Sequence, residues 1–146
     1  MRQEAQFELV ARRAEKSLSQ AARKGKGPAR RHGIWGLQQL REPLPLLELL
    51  ADPEAEIRAL AAKALGDLKS ADAPDLLIKV LKDPHPRVRA QAALALGRMG
   101  CGRAAGALLE LLRENADRDV FLRHAGVSGL AGAGDIEALV NARKAA

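Results

Sequence analysis

The sequence has almost no aromatic residues and a single cysteine. Its 146 residues contain two Phe, one Trp and no Tyr, although 47% of them are hydrophobic. A core of this composition must be built from Leu, Ala, Val and Ile packed between closely spaced elements. The lone Cys101 excludes an internal disulfide and leaves the cellular compartment undecided.

Several patterns that would indicate a membrane, a cofactor or a β-sheet are also missing. No run of 18 apolar residues occurs, so the sequence predicts no transmembrane helix and no insertion into a membrane. The first residues are charged and amphipathic, unlike a signal peptide. No segment alternates between polar and apolar residues, so we predict no strands.

What the sequence does contain is a repeat. The segment RALAAKALGDL at Arg58–Leu68 returns 31 residues later as RAQAALALGRM at Arg89–Met99. An Arg followed seven residues later by a Leu marks further copies at Arg2, Arg30 and Arg123, with 28, 28, 31 and 34 residues between successive copies. Such self-similarity predicts units that bury their apolar faces by stacking on one another.

Each unit combines a short and a long stretch with helical periodicity. In the long stretch two small residues stand three apart, which lets neighbouring helices approach closely. Asp-Pro pairs precede two of the long stretches, and Asp suits the helix N-cap while Pro suits the first turn. The short stretches are 17–22, 46–50, 76–81, 107–112 and 136–140. The pairs of small residues are Gly33/Gly36, Ala61/Ala64, Ala92/Ala95 and Gly126/Gly129. The turns before the long stretches are at Asp52-Pro53, Asp83-Pro84 and Asp117.

The two best copies, DPEAEIRALAAKALG and DPHPRVRAQAALALG, share the pattern D-P-x-x-x-[VI]-R-x-x-A-x-x-A-L-G. This pattern resembles the HEAT repeat, and among HEAT repeats the short type of phycobilisome-lyase-like proteins. The resemblance covers nearly the whole chain. It implies an all-α fold, a right-handed α-solenoid of about four to five helix pairs, with residues 1–146 forming one domain.

In that family an Asp and an Arg of each repeat form a ladder of hydrogen bonds between repeats. The resemblance therefore implies a structural role for Asp52, Asp83 and Asp117 with Arg58, Arg89 and Arg123. The copy DRDVFLRHAGVSGLAG keeps Asp117 and Arg123 but lacks the proline, and the first long helix keeps Arg30 but has Lys24 at the position of the Asp.

A narrower resemblance concerns the segments ARRHGIWGLQQL and DVFLRHAGVSGL. They are similar to HEAT segments of large bacterial proteins that join a propeller-type dehydrogenase domain to a c-type haem module. The chain itself has no C-x-x-C-H motif. This resemblance implies a scaffold segment of a longer chain. Because neither end carries a polar capping repeat, we likewise expect a piece of a longer chain or a self-associating one.

Residues that could perform chemistry are few and dispersed. His85 lies between two prolines, while His32 and His124 are about three repeats apart and too distant to share a metal. Cys101 lies in a Gly-rich loop with no His nearby in sequence, which favours an inert thiol. We predict no catalytic, cofactor-binding or metal-binding residues, no cofactor, and a protein that is not an enzyme.

A binding surface can be proposed on the long helices, which line the concave face of HEAT solenoids. Phe7 and Trp35 occupy equivalent positions in adjacent repeats, beside Arg31, and aromatic residues with Arg are typical interface anchors. Alternatively, Trp35 packs inward and fills the gap left by two glycines. We predict a noncatalytic protein-binding or scaffold module whose partner is another protein or other domains of the parent chain. Its contact residues are Phe7, Arg31, Trp35, Lys63, Arg98 and His124.

The net charge of +6 lies in the first part of the chain. Residues 1–42 hold ten Lys and Arg against four Asp and Glu, whereas the remainder is balanced. Such a segment predicts, as the alternative function, nucleic-acid binding through residues 12–31. A solvated loop in a basic protein is the other interpretation. The cations concerned are Arg23, Lys24, Lys26 and Arg30.

Overall fold

The computed structural model describes residues 3–134, and within this range all regular structure is helical. The predicted all-α fold is confirmed. The short stretch predicted at 136–140 lies outside the described residues. The helices are α1 (Gln3–Ala11), α2 (Glu15–Lys24), α3 (Pro28–Leu40), α4 (Leu44–Glu48), α5 (Ala55–Leu68), α6 (Pro74–Val80), α7 (Pro86–Arg98), α8 (Ala105–Asn115) and α9 (Val120–Ala133), with single turns of 3₁₀ helix at Leu49–Ala51 and Gly102–Ala104.

The helices stack as hairpins in two layers. The long helices α3, α5, α7 and α9 contact one another in that order, and α1 packs on α3 where the long helix of a preceding repeat would stand. Each long helix is also covered by the short helix before it, α2 on α3, α4 on α5, α6 on α7 and α8 on α9. This arrangement is an α-solenoid.

The core between the two layers is aliphatic, as the composition predicts. Its largest fully buried side chains are contributed by both layers, and each stabilises the fold by about 1.5–3 kcal/mol through burial. They include Leu18, Ile34, Leu37, Leu46, Ile57, Leu65, Leu77, Leu96 and Leu108.

The small residues of the long helices lie at backbone contacts. A Cβ added to Gly33 would stand 2.5 Å from the backbone nitrogen of Ala22 in α2. A Cβ on Gly129 would stand 2.6 Å from the carbonyl oxygen of Ala93 in α7. The chain therefore needs glycine at these positions because two helix backbones meet there.

The residues that cap the long helices are not the ones that the sequence predicts. Residues Glu54 and His85 occupy the N-caps of α5 and α7, and neither side chain makes a capping bond. Asp52 and Asp83 lie two residues earlier, where their carboxylates accept from the N–H groups of these cap residues at 2.9 and 2.8 Å. The prediction that these aspartates cap the helices was wrong, because proline after each Asp favours an extended backbone outside the helix.

Candidate functional site

The ladder between repeats is present at two junctions. Arg58 of α5 donates from Nε and Nη2 to the two carboxylate oxygens of Asp83 at 2.7 and 2.9 Å. Its Nη1 donates to the carbonyl oxygens of Asp52 and Pro53 at 2.8 and 3.1 Å. One guanidinium thus ties the start of its own helix to the turn of the next repeat, with planar bidentate geometry.

Burial and pairing act together on the ionisation of this pair. The hydrogen bond to Asp83 raises the pKa of Arg58 above its ordinary value. Burial acts to raise the pKa of Asp83, but hydrogen bonds from Arg58 and from the His85 N–H outweigh it, so the pKa of Asp83 lies below its ordinary value. Both groups therefore stay charged over the neutral range.

Arg30 is a member of the ladder rather than of a cationic loop. Only 6% of the residue is exposed, its Nη1 and Nη2 contact the Asp52 carboxylate, and Nη1 also pairs with Glu54 at 2.8 Å. Its Nε donates to the carbonyl oxygen of Ala22 at 2.9 Å. The hydrogen bonds that Arg30 donates to Asp52 raise the pKa of Arg30 above its ordinary value. Its assignment to a phosphate-binding surface was wrong, because its donors are already used inside the fold.

The third predicted rung is not formed. The Asp117 side chain is 75% exposed and its closest cation is Arg123 of the same repeat, with Nη1 and Oδ1 3.4 Å apart. Its backbone has a φ of 57°, and Asp119 instead caps α9 by accepting from the Leu122 N–H at 3.0 Å. Within residues 3–134, therefore, neither Asp117 nor Arg123 forms a ladder contact with another repeat. Arg89 keeps its bonds to the turn behind it but contacts no carboxylate of the described residues.

Phe7 and Trp35 lie together on an exposed groove. They are 51% and 42% exposed, and they line a groove of about 310 Å³ between α1 and α3. The ring of His32 meets that of Trp35 edge to face, with centroids 5.2 Å apart. Trp35 does not fill the gap at the glycines of α3, since Gly33 and Gly36 pack against α2. We call this the aromatic groove; its lining residues are Gln3, Gln6, Phe7, His32, Trp35 and Gln39.

Of the cations predicted to contact a partner, one is exposed without an ion pair among the described residues and two are paired. Arg31 is exposed on α3. Lys63 and Arg98 converge on Asp67, with nitrogen–oxygen distances of 2.7 and 3.1 Å, and Gln38 donates to the same carboxylate at 3.1 Å. Asp67 thus links three consecutive long helices, and its single negative charge offsets one of the two positive charges of Lys63 and Arg98.

His124 belongs to a second apolar cleft. It lines a space of about 490 Å³ between α7 and α9 with Leu94 and Phe121, whose side chain is 85% exposed. None of these three residues borders the aromatic groove. The surface predicted as one patch therefore consists of two, and Phe121 was missing from the prediction although it is the most exposed large apolar residue of those described.

The basic segment retains only part of its predicted charge. Arg23 pairs with Glu48 at 2.7 Å and Arg12 with Glu8 at 2.6 Å. Lys24 and Lys26 are exposed at the end of α2 and in the loop that follows it. With Arg30 inside the fold, this surface is less cationic than the sequence implies.

Metal-binding clusters and membrane-spanning helices are absent from the described part of the chain. Within residues 3–134, no three or more His, Cys, Asp or Glu side chains are grouped so as to hold a metal ion. No helix in that range is long and apolar enough to cross a membrane.

The stacked hairpins and their Arg–Asp ladder define a helical-repeat protein. A family model described as HEAT repeats matches residues 43–131, which is more than half of the chain and runs from the start of α4 into α9. The chain belongs to the HEAT repeat family. Comparison with individual curated proteins finds no match. Members of this family are generally non-enzymatic and commonly act as scaffolds for protein interactions.

Proposed function

We propose that this chain is a noncatalytic protein-binding module and that the aromatic groove is its recognition surface. The observation that carries the proposal is the exposure of Phe7 and Trp35 on one groove. Only three residues of the chain are Phe or Trp, and two of them meet there. Large aromatic residues left in water at one concave position are typical of interface anchors.

Contacts within the groove hold its shape before a partner binds. Gln6 Oε1 accepts a hydrogen bond from His32 Nδ1 at 2.8 Å, and Gln6 Nε2 donates to Gln39 Oε1 at 3.3 Å. His32 in turn supports the edge of Trp35. Because these side chains are already ordered, less conformational entropy is lost when a partner binds than on a flexible surface.

The chemistry of the groove favours an apolar side chain flanked by an acidic one. The two aromatic rings supply the apolar contact, and the glutamines supply hydrogen bonds at the rim. Arg31 is four residues before Trp35 on α3, so the two side chains lie on the same helix face. We therefore infer that the partner presents an apolar residue next to Asp or Glu. Other domains of a parent chain would satisfy this chemistry equally well.

Site-specific photocrosslinking tests the proposal in the native cell extract. A benzophenone amino acid at position 7 should capture at least one protein, and a Trp35→Ser change in the same chain should abolish that product. The matched control is the same probe at position 44, since Leu44 is 66% exposed but lies outside the groove. Equal products from positions 7 and 44, or products insensitive to Trp35→Ser, would contradict the proposal.

Nucleic-acid binding through residues 12–31 remains the alternative, and it can be tested without disturbing the fold. The changed residues should be Lys24, Lys26 and Arg31, while Arg30 is retained because it belongs to the ladder. If nucleic acid is the ligand, a gel shift at low salt should be lost in this triple Ser variant. Absence of a shift with the unchanged protein would exclude the alternative.

A further inference from the structure

Arg89 is held in the same way as Arg58 but lacks the carboxylate that Arg58 binds. Its Nη1 donates to the carbonyl oxygens of Asp83 and Pro84 at 2.8 and 3.1 Å, the same distances that Arg58 has to Asp52 and Pro53. Its Nε and Nη2, by contrast, contact no acceptor within residues 3–134. These are the two atoms through which Arg58 grips Asp83.

A cleft lies in front of this guanidinium. It has a volume of about 560 Å³ and is bounded by the start of α7, the end of α8 and the start of α9. Its charged lining residues are Lys82, Asp83, Arg89, Glu114, Arg118 and Asp119.

Two of the three acidic residues of the cleft are hydrogen-bonded to groups other than Arg89. Asp83 is bound by Arg58, and Asp119 accepts from the N-terminus of α9. Glu114 is 3.9 Å from Lys82. The Arg118 Nε and Nη2 groups donate to the carbonyl oxygens at the end of α8. Among the described residues that line the cleft, Arg89 is therefore the arginine whose Nε and Nη2 groups remain available to bind a carboxylate.

We propose that this cleft binds a carboxylate of another molecule, which takes the place of the missing third aspartate of the ladder. Arg89 Nε and Nη2 would donate to its two oxygens. The planar fork of an arginine fits a carboxylate in this way, and Arg89 is already oriented by its two backbone bonds. A doubly charged phosphate fits less well, because three carboxylates line the same cleft.

Asp117 is the internal competitor for this position. It stands six residues before Arg123, as Asp52 and Asp83 stand six before Arg58 and Arg89, but its side chain points to solvent. Both Ala116 and Asp117 have left-handed backbones, with φ of 43° and 57°. A different turn conformation could bring Asp117 to Arg89, so the test must separate an internal source from an external one. The inference does not rest on the aromatic groove, which lies on other helices.

Nitrogen-15 NMR of the arginine Nε–H groups provides the test, with sodium acetate as the probe and sodium chloride at equal ionic strength as the reference. We expect the Arg89 signal, assigned with Arg89→Lys, to shift and saturate with acetate but not with chloride. The Arg58 signal is the matched control and should not respond, because Asp83 already fills its site. An acetate response that persists elsewhere in the cleft of Arg89→Lys would overturn the proposal.

Two further arms identify the source of the carboxylate. The first arm compares the affinity of acetyl-Ala-Glu-Ala-amide with that of its Gln analogue and tests for an acidic side chain. The second compares acetyl-Ala-Ala with a free and with an amidated C-terminus and tests for the end of a chain. We expect at least about a tenfold loss of affinity for the acidic member of either pair on Arg89→Lys. If Arg89 becomes responsive to acetate only after Asp117→Asn, Asp117 fills the site in solution and the proposal fails. It also fails if Arg89 never responds.

Discussion

The junction between α5 and α7 and the junction between α7 and α9 share the same spacing of Asp and Arg in the sequence but differ in chemistry. In both, an Arg at the fourth position of the long helix donates Nη1 to the turn behind it. At the first junction the Arg also binds the next aspartate, Asp83, whereas at the second Asp117 turns away. We refer to them as the paired and the unpaired junction.

One residue accounts for much of the difference. Pro84 follows Asp83, and proline favours an extended backbone at the residue before it. Arg118 follows Asp117, which is therefore free to adopt a left-handed conformation that Asp tolerates better than most residues. We therefore expect a ladder of this kind to depend on the Asp-Pro dipeptide rather than on the Asp alone.

The largest effect should come from removing the arginine at each junction. Arg58→Ala leaves Asp83, whose side chain is only 9% exposed, without its partner, so the free energy of unfolding should fall by about 3–5 kcal/mol. Arg89→Ala removes only hydrogen bonds to two carbonyl groups and should cost about 1–2 kcal/mol. Urea unfolding followed by circular dichroism measures both. Equal losses would mean that Arg89 has a carboxylate partner after all.

The unpaired junction should also be sensitive to backbone spacing. Gly129→Ala would place a methyl group 2.6 Å from the Ala93 carbonyl oxygen and should destabilise the protein by about 2–3 kcal/mol. Gly106→Ala is the matched control, since a Cβ there meets nothing within 4 Å and the change should be neutral or stabilising by up to about 1 kcal/mol. Thermal unfolding of the two variants separates the effects. A harmless Gly129→Ala would show that α7 and α9 can move apart freely.

Much of the fold could be predicted because its signals are local. The apolar period of Leu46–Leu50 and Leu76–Leu81 predicts short helices, and both segments are helical in the structure up to Leu81, which follows the last residue of α6. The small residues of the long helices likewise predict close packing, which Gly33 and Gly129 show at backbone contacts. Burial of one helix face selects these residues directly, so they remain visible in the sequence.

The site was less predictable because it depends on contacts between repeats. The residues beside Arg30 in the sequence are basic and led to its assignment to a cationic loop. Its partner Asp52, however, is 22 residues further along the chain. The sequence did contain a signal for this role, because Arg30 stands 28 residues before Arg58 at the equivalent position of the repeat. Phe121 could also have been found, since the equivalent residues Glu56 and Arg87 are charged. An aromatic side chain where the other repeats carry charge indicates an exposed apolar position.

A smaller effect should follow from giving the unpaired junction its proline. Arg118→Pro favours an extended Asp117 and should bring its carboxylate towards Arg89. The change also removes an N–H that donates to the Asn115 carbonyl oxygen at 2.9 Å, so stability alone is a poor measure of pairing. The suitable measure is the coupling energy between Arg89→Ala and Asp117→Ala in a double-mutant cycle.

We expect this coupling to be below about 0.5 kcal/mol in the unchanged protein and to rise to about 1–2 kcal/mol in the Arg118→Pro background. Arg118→Ala is the control, because it removes the same side chain but keeps the N–H and should leave the coupling low. An unchanged coupling with proline would show that the length of the α8–α9 connection, rather than the dipeptide, separates the two groups.

The smallest difference between the junctions should appear as a dependence on pH. Pairing with Arg58 and the His85 N–H lowers the pKa of folded Asp83, against the opposing effect of burial. An unfolded Asp has a pKa of about 3.9, so the unfolded chain binds a proton more readily than the folded one. The stabilisation by Asp83 is therefore fully present above about pH 4 and is lost as the pH falls through the lower pKa of the folded state.

Urea unfolding of the unchanged protein and of Asp83→Asn between neutral and strongly acidic pH measures this contribution. The difference in unfolding free energy between them should be greatest above about pH 4 and should shrink below it. Asp117→Asn removes an exposed carboxylate of the unpaired junction and controls for the loss of one surface charge. A difference for Asp83→Asn that stays constant into strong acid would mean that the carboxylate acts through packing and not through its charge. The hydrogen bonds that the Arg58 guanidinium donates to the Asp52 and Pro53 carbonyl oxygens, which Arg89 matches in its own turn, do not depend on Asp83 and would be unaffected in either case.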